Sequence, residues 1–340
     1  MSPRAVAQSV LMVKTAFITG ITGQDGSYLS ELLLAKRYEV YGLVLECDTE
    51  GVKRLPTRDR VNLITGDLAD ASSIRCAIKE SEPDEIYNLA APTFVPSSIK
   101  NPAMSTEIGA LGAIRVMAAA VELVPDARIF QASSSEIFAG TRDSPQNERT
   151  PFAPITPYGI AKAFATTASA YYRDNLGTFV SCGIFYNHES PRRPPQFVTR
   201  KISLGVAEIV HGRRKKIELG NLEAKRDWGY APEYVDATWR VLQQKKPDNY
   251  IVATGELHSI REFLEEACSI AGLDYSEDII KVSKKLLRSA DYSHLKGNAT
   301  KAKRKLGWTP KTRFKKLVRI MVESDLKLME REDKIGRKQR

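Results

Sequence analysis

The first half of the chain alternates short, continuous apolar runs with segments of helical periodicity. Five such runs cover residues 14–20, 39–45, 61–67, 85–90 and 128–133, and helical patterns separate them. Strands that are apolar along their whole length are typical of a parallel sheet buried on both faces, because the crossover helices cover those faces. The sequence therefore predicts an α/β fold with a doubly wound parallel sheet.

The second half is less regular. A long helix is predicted from Tyr158 to about residue 175, and an apolar run at 179–186 follows it. Shorter helical and strand patterns come next, with another apolar run at 250–255 and an amphipathic helix from about residue 311. This pattern predicts a smaller C-terminal α+β part, with the chain crossing between the two parts more than once.

Composition is that of an ordinary soluble protein, with 42% hydrophobic and 27% charged residues. No apolar run reaches the ~18–20 residues that cross a bilayer, so no membrane partner is expected. The apolar part of residues 1–13 leads directly into a strand, which favours an extension over a signal peptide. The four cysteines and four histidines are widely spaced, which favours free buried thiols in the cytoplasm and argues against a metal site.

The net charge of +10 is concentrated towards the C-terminus. Residues 281–340 hold 20 Lys and Arg against 6 Asp and Glu, a net +14, and the other 280 residues hold 31 against 35, a net −4. A basic segment invites a nucleic-acid interpretation. This one lacks interleaved aromatic residues, and much of it has an amphipathic pattern with Phe314, Leu317, Ile320 and Met321 on one side of a helix. A solvated helix face is therefore expected, and no nucleic-acid partner.

A glycine-rich turn, "TGITGQDGSYL", follows the first predicted strand. Gly20 permits a tight turn, Gly23 lets the backbone approach a pyrophosphate, and Gly26 allows a helix to pack closely on the strand. The phosphates would lie at the helix N-terminus, where free N–H groups and the helix dipole favour anions. At the start of a βαβ unit, this turn predicts a Rossmann-type dinucleotide-binding domain.

Glu46, at the end of the second predicted strand, bears on the choice of dinucleotide. A carboxylate there accepts hydrogen bonds from the ribose and repels a 2′-phosphate, which favours NAD. Lys53 and Arg54 lie nearby in the sequence and leave NADP open. We expect an N-terminal extension at 1–13, the dinucleotide-binding domain at 14–190, a mainly substrate-binding domain at 191–330 and a basic tail at 331–340.

The segment "YGIAK" places Tyr158 and Lys162 four residues apart, on one face of a helix. A tyrosine with a pKa near ~10 is a poor base at neutral pH. A neighbouring lysine and an oxidised nicotinamide are both cationic, and are expected to stabilise the phenolate and lower that pKa. With Ser134 at the end of the preceding strand, in "QASSSEIF", these residues predict an active site.

These motifs resemble those of the extended short-chain dehydrogenase/reductase superfamily and, more closely, of the GDP-mannose 4,6-dehydratase family. The resemblance runs almost from end to end, and it is carried by "ITGITGQDGSYL", "EIYNLAA", "QASSSEIF", "PFAPITPYGIAK", "FYNHESPRRPPQFVTRKI", "LGNLEAKRDWGYAPEYV" and "IVATGELHSIREF". The stretches "NHESPRR" and "AKRDWG" are more specific to that family than the superfamily motifs are.

The resemblance implies a hydro-lyase with tightly bound NAD(P) that acts on GDP-D-mannose. Tyr158 would take the proton of the C4 hydroxyl while hydride passes from C4 to the cofactor, and Ser134 would hydrogen-bond O4. Glu136 would then remove the acidified C5 proton and help water leave from C6. Hydride returns to C6, so the cofactor is regenerated and the net reaction is a dehydration.

The resemblance also implies ligand contacts, position by position. Besides Glu46, the cofactor contacts are Gly20, Gly23, Gln24, Asp25, Gly26, Asp67, Leu68, Leu89, Ala91, Thr93, Lys162, His188 and Arg193. The GDP-sugar contacts are Asn187, Val198, Lys201, Arg226, Arg288 and Asp291. Arginine suits this role because its planar fork binds phosphate oxygens in a bidentate way.

The chain departs from the family pattern at two ligand-binding places. Where the family commonly has paired arginines followed by serines, this chain has Leu45, Glu46, Cys47 and Asp48. Those arginines grip a 2′-phosphate and help build a tetramer, so a homodimer is expected here, with a tetramer possible. After "NLAA", Pro92, Thr93 and Phe94 replace Gln, Ser and His, which gives a more apolar pocket that suits another hexose or a GDP-heptose.

Two other functions compete with the dehydratase. A GDP-sugar C4 reductase or epimerase of the same superfamily needs no group at Glu136, and a reductase consumes free reduced cofactor. A nucleic-acid-binding protein on a dehydrogenase scaffold is suggested by the basic segment alone, and it predicts a steep salt dependence of affinity.

Overall fold

The apolar runs of the first half pair side by side in one sheet. A computed structural model describes residues 13–283 and 295–338 of the chain. The strands in these residues are β1 (Thr15–Thr19), β2 (Glu39–Val44), β3 (Asn62–Thr65), β4 (Glu85–Asn88), β5 (Arg128–Ser134), β6 (Val180–Phe185), β7 (Asn187–Glu189), β8 (Ile217–Leu219), β9 (Lys225–Arg226), β10 (Trp228–Tyr230), β11 (Asn249–Val252), β12 (His258–Ser259) and β13 (Ile280–Val282). Seven of them form the main sheet and the other six form three separate pairs.

The main sheet has the strand order β11-β6-β5-β4-β1-β2-β3, and every neighbouring pair is parallel. The chain builds outward from β1 to β3 and then returns to add β4 on the other side of β1. In open α/β sheets, ligands bind beyond the carboxyl ends of the strands at such a reversal. The predicted doubly wound parallel sheet is confirmed.

Helices cover both faces of this sheet, because the apolar strands must be buried on each side. The helices are α1 (Gln24–Ala35), α2 (Thr49–Arg54), α3 (Ala71–Ser81), α4 (Val95–Lys100), α5 (Pro102–Thr106), α6 (Gly112–Leu123), α7 (Pro157–Leu176), α8 (Val198–Val210), α9 (Ala231–Leu242), α10 (Ile260–Ala271), α11 (Thr300–Leu306) and α12 (Phe314–Lys338). One core holds α1 and α9, with Leu33 and Val241 fully buried. The core that holds α3, α6 and α7 contains Ile78, Met117 and Ala165.

The later part of the chain builds a further core from α8, α10 and α12. Ile202, Phe263 and Met321 are fully buried there. Between α8 and α10 the chain returns to the main sheet, where α9 packs against α1 and β11 pairs with β6. The linear boundary near residue 190 stays a prediction.

α12 accounts for much of the basic C-terminal segment. Leu317 and Met321 are fully buried, whereas Ile320 is half-buried, and charged side chains alternate with them along the helix. The helix continues to Lys338, so residues 331–338 belong to it and do not form a separate tail.

The stretch Pro102–Leu123 is long and apolar enough to cross a membrane by length and composition, which the sequence analysis did not foresee. Half of its most apolar window is buried inside the protein. It consists of α5, a π-helical turn at Glu107–Leu111 and α6, and it packs against α3 and α7. These contacts give its apolar side chains a place in the core.

All four cysteines are free. Cys182 and Cys268 are buried, as predicted for free thiols. Cys47 and Cys76 are exposed, so the expectation of buried thiols is wrong for these two residues.

Candidate active site

The glycine-rich turn between β1 and α1 is defined by close backbone contacts at its glycines. Gly20 has φ +72°, and a Cβ there would lie 2.9 Å from the Cα of Ala90. A Cβ on Gly26 would lie 2.2 Å from the carbonyl oxygen of Gly20, so only glycine lets α1 start this close to the strand. Gly23 is the N-cap of α1 and brings no side chain to cap its first turn. This geometry fits a pyrophosphate held by the N–H groups at the start of α1.

A buried polar chain links the ends of β1 and β4 to the middle of β5. The hydroxyl of Thr19 donates to Asn88 Oδ1 at 2.6 Å, and Asn88 Nδ2 donates to Gln131 Oε1 at 2.7 Å. Thr19 Oγ1 also accepts from the backbone N–H groups of Leu89 and Ala90 at 3.1 and 3.2 Å. The sequence analysis missed this chain, and a polar side chain inside an otherwise apolar strand was the available signal.

The predicted contacts that follow β4 lie just beyond this polar chain. Leu89 and Ala91 are half-buried and Thr93 is exposed. The chain then enters α4 from Phe94, which is its N-cap. This places the three residues at the carboxyl end of β4, where a Rossmann-type sheet binds its ligands.

The residues predicted for the adenosine end lie after β2 and β3. Glu46 is exposed just past β2, and Asp67 is half-buried just past β3. Leu68 is buried, and a Cβ on Gly112 of α6 would lie 3.0 Å from its Cβ. Asp48, which the sequence analysis did not single out, accepts from the Thr22 hydroxyl at 2.6 Å and caps α2 through the Gly51 N–H. Asp48 therefore ties the glycine-rich turn to the loop that carries Glu46.

The candidate catalytic side chains come together where β5 ends and α7 begins. Ser134 ends β5, and its hydroxyl accepts from the Glu136 N–H at 3.3 Å. Thr156 caps α7 by accepting from the Gly159 N–H at 3.0 Å, and its hydroxyl lies 3.5 Å from Glu136 Oε2. A Cβ on Gly159 would lie 2.7 Å from the Glu136 carbonyl oxygen, so this glycine brings the start of α7 against the turn after β5.

Tyr158 and Lys162 are both buried on the face of α7 that meets β5. Lys162 Nζ donates to the Ala132 carbonyl at 2.8 Å and lies 5.9 Å from the centroid of the Tyr158 ring. Burial lowers the pKa of Lys162 to about 8. Burial also raises the pKa of Tyr158 to about 12, against the lowering by its hydrogen bond with Ser134. In the protein alone desolvation therefore outweighs the nearby hydrogen bond, and the lowering expected from Lys162 together with an oxidised nicotinamide stays a prediction.

Asp25 and His188, which are both predicted cofactor contacts, contact each other. His188 Nε2 lies 2.8 Å from Asp25 Oδ2, and His188 Nδ1 lies 2.8 Å from the Tyr186 carbonyl oxygen. Gln24 donates to the His188 carbonyl at 3.1 Å and accepts from the Ser190 hydroxyl at 2.8 Å. The start of α1 is thus bound side by side to the segment that follows β6.

The same segment is held further along α1 by Arg192. Its guanidinium donates to the Ser27 hydroxyl at 3.2 Å and to Glu31 Oε1 at 2.7 Å, and it lies 3.9 Å from the ring centroid of Tyr28. These contacts explain why "QDGSYLSE" and "NHESPRR" occur in one chain, since the two motifs form one interface. The sequence analysis did not single out Arg192.

Arg193, which is also a predicted cofactor contact, belongs to a different cluster. Its guanidinium pairs with the buried Glu189 at 3.1 Å and lies 3.7 Å above the ring of Phe197. Phe197 contacts Phe94 edge to face, with ring centroids 5.4 Å apart. Arg193 also acts on the Tyr158 pKa, which places its charge near the candidate base. Phe94, which departs from the family pattern after "NLAA", therefore adds an aromatic ring to the cluster of Arg193 and Phe197.

The predicted substrate contacts lie on neighbouring elements of the later part of the chain. Asn187 in β7 pairs with Trp228 in β10, and Arg226 in β9 pairs with His258 in β12. Val198 and Lys201 are on the first turn of α8, whereas Arg288 and Asp291 lie outside the described residues.

Asp227, between β9 and β10, is a residue that the sequence analysis did not assign. Its side chain is 1% exposed and accepts from the backbone N–H groups of Thr254, Gly255 and Gly297 at 2.8, 2.8 and 3.2 Å. It ties the β9–β10 segment to two others, at residues 254–255 and at Gly297.

Known proteins of one family are similar to this chain along nearly its whole length. A family model for GDP-mannose 4,6 dehydratase matches residues 17–321. GDP-mannose 4,6 dehydratase 1 of Arabidopsis thaliana is 43% identical over 332 residues, which are 94% of this chain and 91% of that protein. GDP-mannose 4,6-dehydratase of Vibrio cholerae is 37% identical over 94% of this chain and 96% of that protein.

Solved structures with lower identity share the fold. UDP-glucose 4-epimerase of Thermus thermophilus, in complex with NAD, has a TM-score of 0.80 and 23% identity over 92% of this chain and 98% of its own. RMD of Pseudomonas aeruginosa, complexed with NADPH, has a TM-score of 0.78 and 22% identity over 93% of this chain and 100% of its own.

Proposed function

Because the chain belongs to the GDP-mannose 4,6-dehydratase family, we propose that it is a hydro-lyase that converts GDP-D-mannose to GDP-4-dehydro-6-deoxy-D-mannose. Tyr158 takes the C4 hydroxyl proton, and the Ser134 hydroxyl hydrogen-bonds O4. Glu136 removes the C5 proton and protonates the C6 hydroxyl, which leaves as water. When bound, NAD(P) supplies the oxidation at C4 and the matching reduction at C6, so none is consumed.

The protonation states of Tyr158 and Lys162 fit this scheme only if nearby cations lower the Tyr158 pKa. A tyrosine whose pKa is about 12 keeps its proton at neutral pH, so it needs cations nearby in order to act as a base. The pKa of Lys162, about 8, leaves its ammonium mostly charged at pH 7. We propose that this ammonium and the positively charged nicotinamide together lower the Tyr158 pKa when the cofactor is bound.

One observation carries the proposal for a dehydratase over a reductase or an epimerase. The half-buried Glu136 lies beside Ser134, and its charge acts on Tyr158. Oxidation and reduction at C4 require no proton transfer at C5. A carboxylate in this place is the group that elimination across C5 and C6 requires.

The test is incubation of the purified protein with GDP-mannose and a catalytic amount of NAD or NADP, followed by mass spectrometry. The expected result is loss of one water without net reduction of the cofactor. Glu136→Gln should stop water loss. The control Glu122→Gln removes an exposed ion pair between Glu122 on α6 and Arg75 on α3, and it should not affect water loss. Net reduction of the added NAD or NADP, or full activity of Glu136→Gln, would reject the dehydratase.

The contact between Phe94 and Phe197 suggests a second candidate for the sugar. Phe94, packed against Phe197, makes the site more apolar than the Gln, Ser and His of the family pattern would. This favours a different GDP-hexose or a GDP-heptose. If GDP-mannose is unchanged, the same assay with GDP-heptose decides between a different sugar and a different reaction. The 4-keto sugar with reduced cofactor tests the reductase.

We propose that the cofactor is NAD rather than NADP. The exposed Glu46 stands just past β2, where a 2′-phosphate would lie, and Asp48 fixes that loop to the glycine-rich turn. Among the nearby cations, Lys53 is paired with Glu50 at 2.7 Å. A carboxylate in this position repels a phosphate and accepts hydrogen bonds from a free ribose.

We also propose a cytoplasmic homodimer. α4, α5 and α7 pack together and leave a set of exposed apolar side chains on one side of the protein: Ile99, Met104, Ile160, Phe164 and Tyr171. Exposed apolar patches of this kind mark interaction surfaces, and a closed two-fold pair covers such a surface on both copies.

A further inference from the structure

The Asp25–His188 pair occupies the boundary between the glycine-rich turn and the segment after β6. His188 is 8% exposed and stacks on Tyr234 of α9, with ring centroids 4.7 Å apart. Phe185 contacts its edge at 5.2 Å. The imidazole is therefore fixed in orientation, and water has little access to it.

Both ring nitrogens of His188 face oxygens that only accept hydrogen bonds. Nδ1 is 2.8 Å from the Tyr186 carbonyl oxygen, and Nε2 is 2.8 Å from the Asp25 carboxylate. A neutral imidazole has one N–H and can satisfy only one of the two oxygens. An imidazolium satisfies both.

The charges around the pair support the same protonation state. Burial lowers the pKa of His188, but the charge of Asp25 and its hydrogen bond outweigh burial, so the net pKa is raised. Burial raises the pKa of Asp25, but the charge of His188 and the hydrogen bonds from His188 and Gln24, together with the charge of Arg193, outweigh it, so the net pKa is lowered. Arg193, which lies beyond β7 and is paired with Glu189, opposes the charge on His188 and stabilises that of Asp25.

Asp25 lies in the first turn of α1, the turn whose N–H groups fit a pyrophosphate. A carboxylate there is itself stabilised by the helix N-terminus, so an unpaired Asp25 competes with the phosphates for the same positive potential. A cation beside Asp25 removes this competition. His188 is placed to supply it.

We propose that His188 is a positioning residue held as an imidazolium, whose charge neutralises Asp25 so that the dinucleotide phosphates can bind, and that cofactor affinity falls when His188 loses its proton. The proposal rests on the proposed function to the extent that a dinucleotide binds at α1. A histidine whose pKa is raised keeps its charge below that pKa and loses it as the pH rises through it. Cofactor affinity is therefore highest at low pH and falls on the alkaline side.

The test is titration of the full-length protein with NADH and with NADPH between about pH 6 and pH 9. In the wild type, the Kd should rise with pH by up to about tenfold per unit, the limit for loss of one proton. His188→Gln should bind about tenfold or more weakly at the acidic end and show no such rise, because Asp25 is never neutralised. Asp25→Asn should also lose the rise, because no carboxylate is left for His188 to neutralise.

The double variant Asp25→Asn/His188→Gln separates charge from packing. If the role of His188 is electrostatic, the double variant binds more tightly than His188→Gln alone, because the unpaired carboxylate has gone. If His188 only packs, the double variant is no better than the single one, and the proposal is overturned. Glu31→Gln breaks the Arg192 contact in the same interface and should leave the pH profile unchanged.

Nitrogen NMR of the cofactor-free protein gives an independent answer. At pH 6, which is below the ordinary histidine pKa of 6.5, both ring nitrogens of His188 should carry a proton, and one bare nitrogen would overturn the proposal whatever the titrations show. Failure of the wild type to bind either dinucleotide at any pH would instead overturn the proposed function and, with it, the link to cofactor affinity.

Discussion

At the scale of single residues, the candidate site contains a cation that folding must desolvate. Lys162 is 2% exposed, and burial lowers its pKa from 10.5 to about 8. Folding at neutral pH therefore pays for burying an ammonium whose main direct partner among the described residues is the Ala132 carbonyl. Such a cost at a functional position is expected when the charge serves the reaction rather than stability.

Lys162→Met should consequently abolish activity and raise the free energy of unfolding at pH 7 by roughly 1–3 kcal/mol. The Ala132 carbonyl keeps a donor in Gln131 Nε2 at 3.0 Å, which limits the loss. Between about pH 8 and 10.5 the unfolded chain holds a proton that the folded protein lacks, so wild-type stability rises with pH relative to the variant. Denaturant unfolding across this range measures it, with the exposed Lys79→Met as control; equal pH slopes for Lys162→Met and wild type would contradict the prediction.

Glu46→Arg should change the preference between the two nicotinamide cofactors. An arginine just past β2 offers a bidentate partner to a 2′-phosphate and removes a repelling carboxylate, so the ratio of NADP to NAD affinity should rise at least about tenfold. Parallel titrations with NADH and NADPH measure this ratio. Glu50→Arg makes the same charge change one step along, in α2, and an equal effect there would show that only net charge matters.

At the scale of elements, sequence patterns located the strands and helices that form continuous, buried segments. All seven strands of the main sheet lie within or against apolar runs, and α7 begins at Pro157, one residue before the predicted start at Tyr158. Short elements were missed, because β7, β9, β10 and β12 are only two or three residues long and are defined by partners distant in sequence.

The candidate site follows the same division. The sequence placed Ser134, Glu136 and Tyr158 near one another, because a strand end and the next helix start are tied by local geometry. It did not join Asp25 to His188, since the two residues are 163 positions apart and only the folded sheet brings them into contact. The raised pKa of Tyr158 in the protein without cofactor was also not foreseen, because burial depends on packing that the motif does not contain.

Gly26→Ala tests the closest backbone contact between elements. Its Cβ would meet the Gly20 carbonyl oxygen at 2.2 Å and the Ile21 Cα at 2.6 Å, so α1 must move away from β1. The variant should lose about 1–3 kcal/mol of stability and bind NADH at least about tenfold more weakly. Gly177→Ala, at φ +69° with nothing within 4 Å, should lose about 1–2 kcal/mol through strain and retain NADH binding. Full NADH affinity of Gly26→Ala would contradict the predicted pyrophosphate site.

At the scale of the whole molecule, the distribution of exposed apolar side chains is uneven. Several lie together on α4, α5 and α7, elements that also carry the candidate catalytic residues Tyr158 and Lys162 on the inner side of α7. A partner that covers the outer side of α7 would stiffen the helix that positions the active site. Assembly and catalysis would then share one element.

Ile160→Glu/Phe164→Glu should convert the proposed homodimer to a monomer. Both side chains are exposed on α7, so the change places two charges in the proposed interface without disturbing the core. Light scattering after size-exclusion chromatography measures the mass, and Ile335→Glu, an exposed apolar residue on α12, is the matched control. A wild-type protein that is already monomeric, or a double variant that remains dimeric, would remove this face as the contact.

The return of the chain to the main sheet at β11 governs the order in which the protein can be completed during synthesis. β11 pairs with β6, yet the ribosome makes β7, α8, β8, β9, β10 and α9 between them. Until β11 has emerged, β6 presents an open edge with unpaired N–H and C=O groups, the kind of surface on which nascent chains pair wrongly. The interval between these two strands is therefore the stage of translation at which a chaperone that shields strand edges has most to protect.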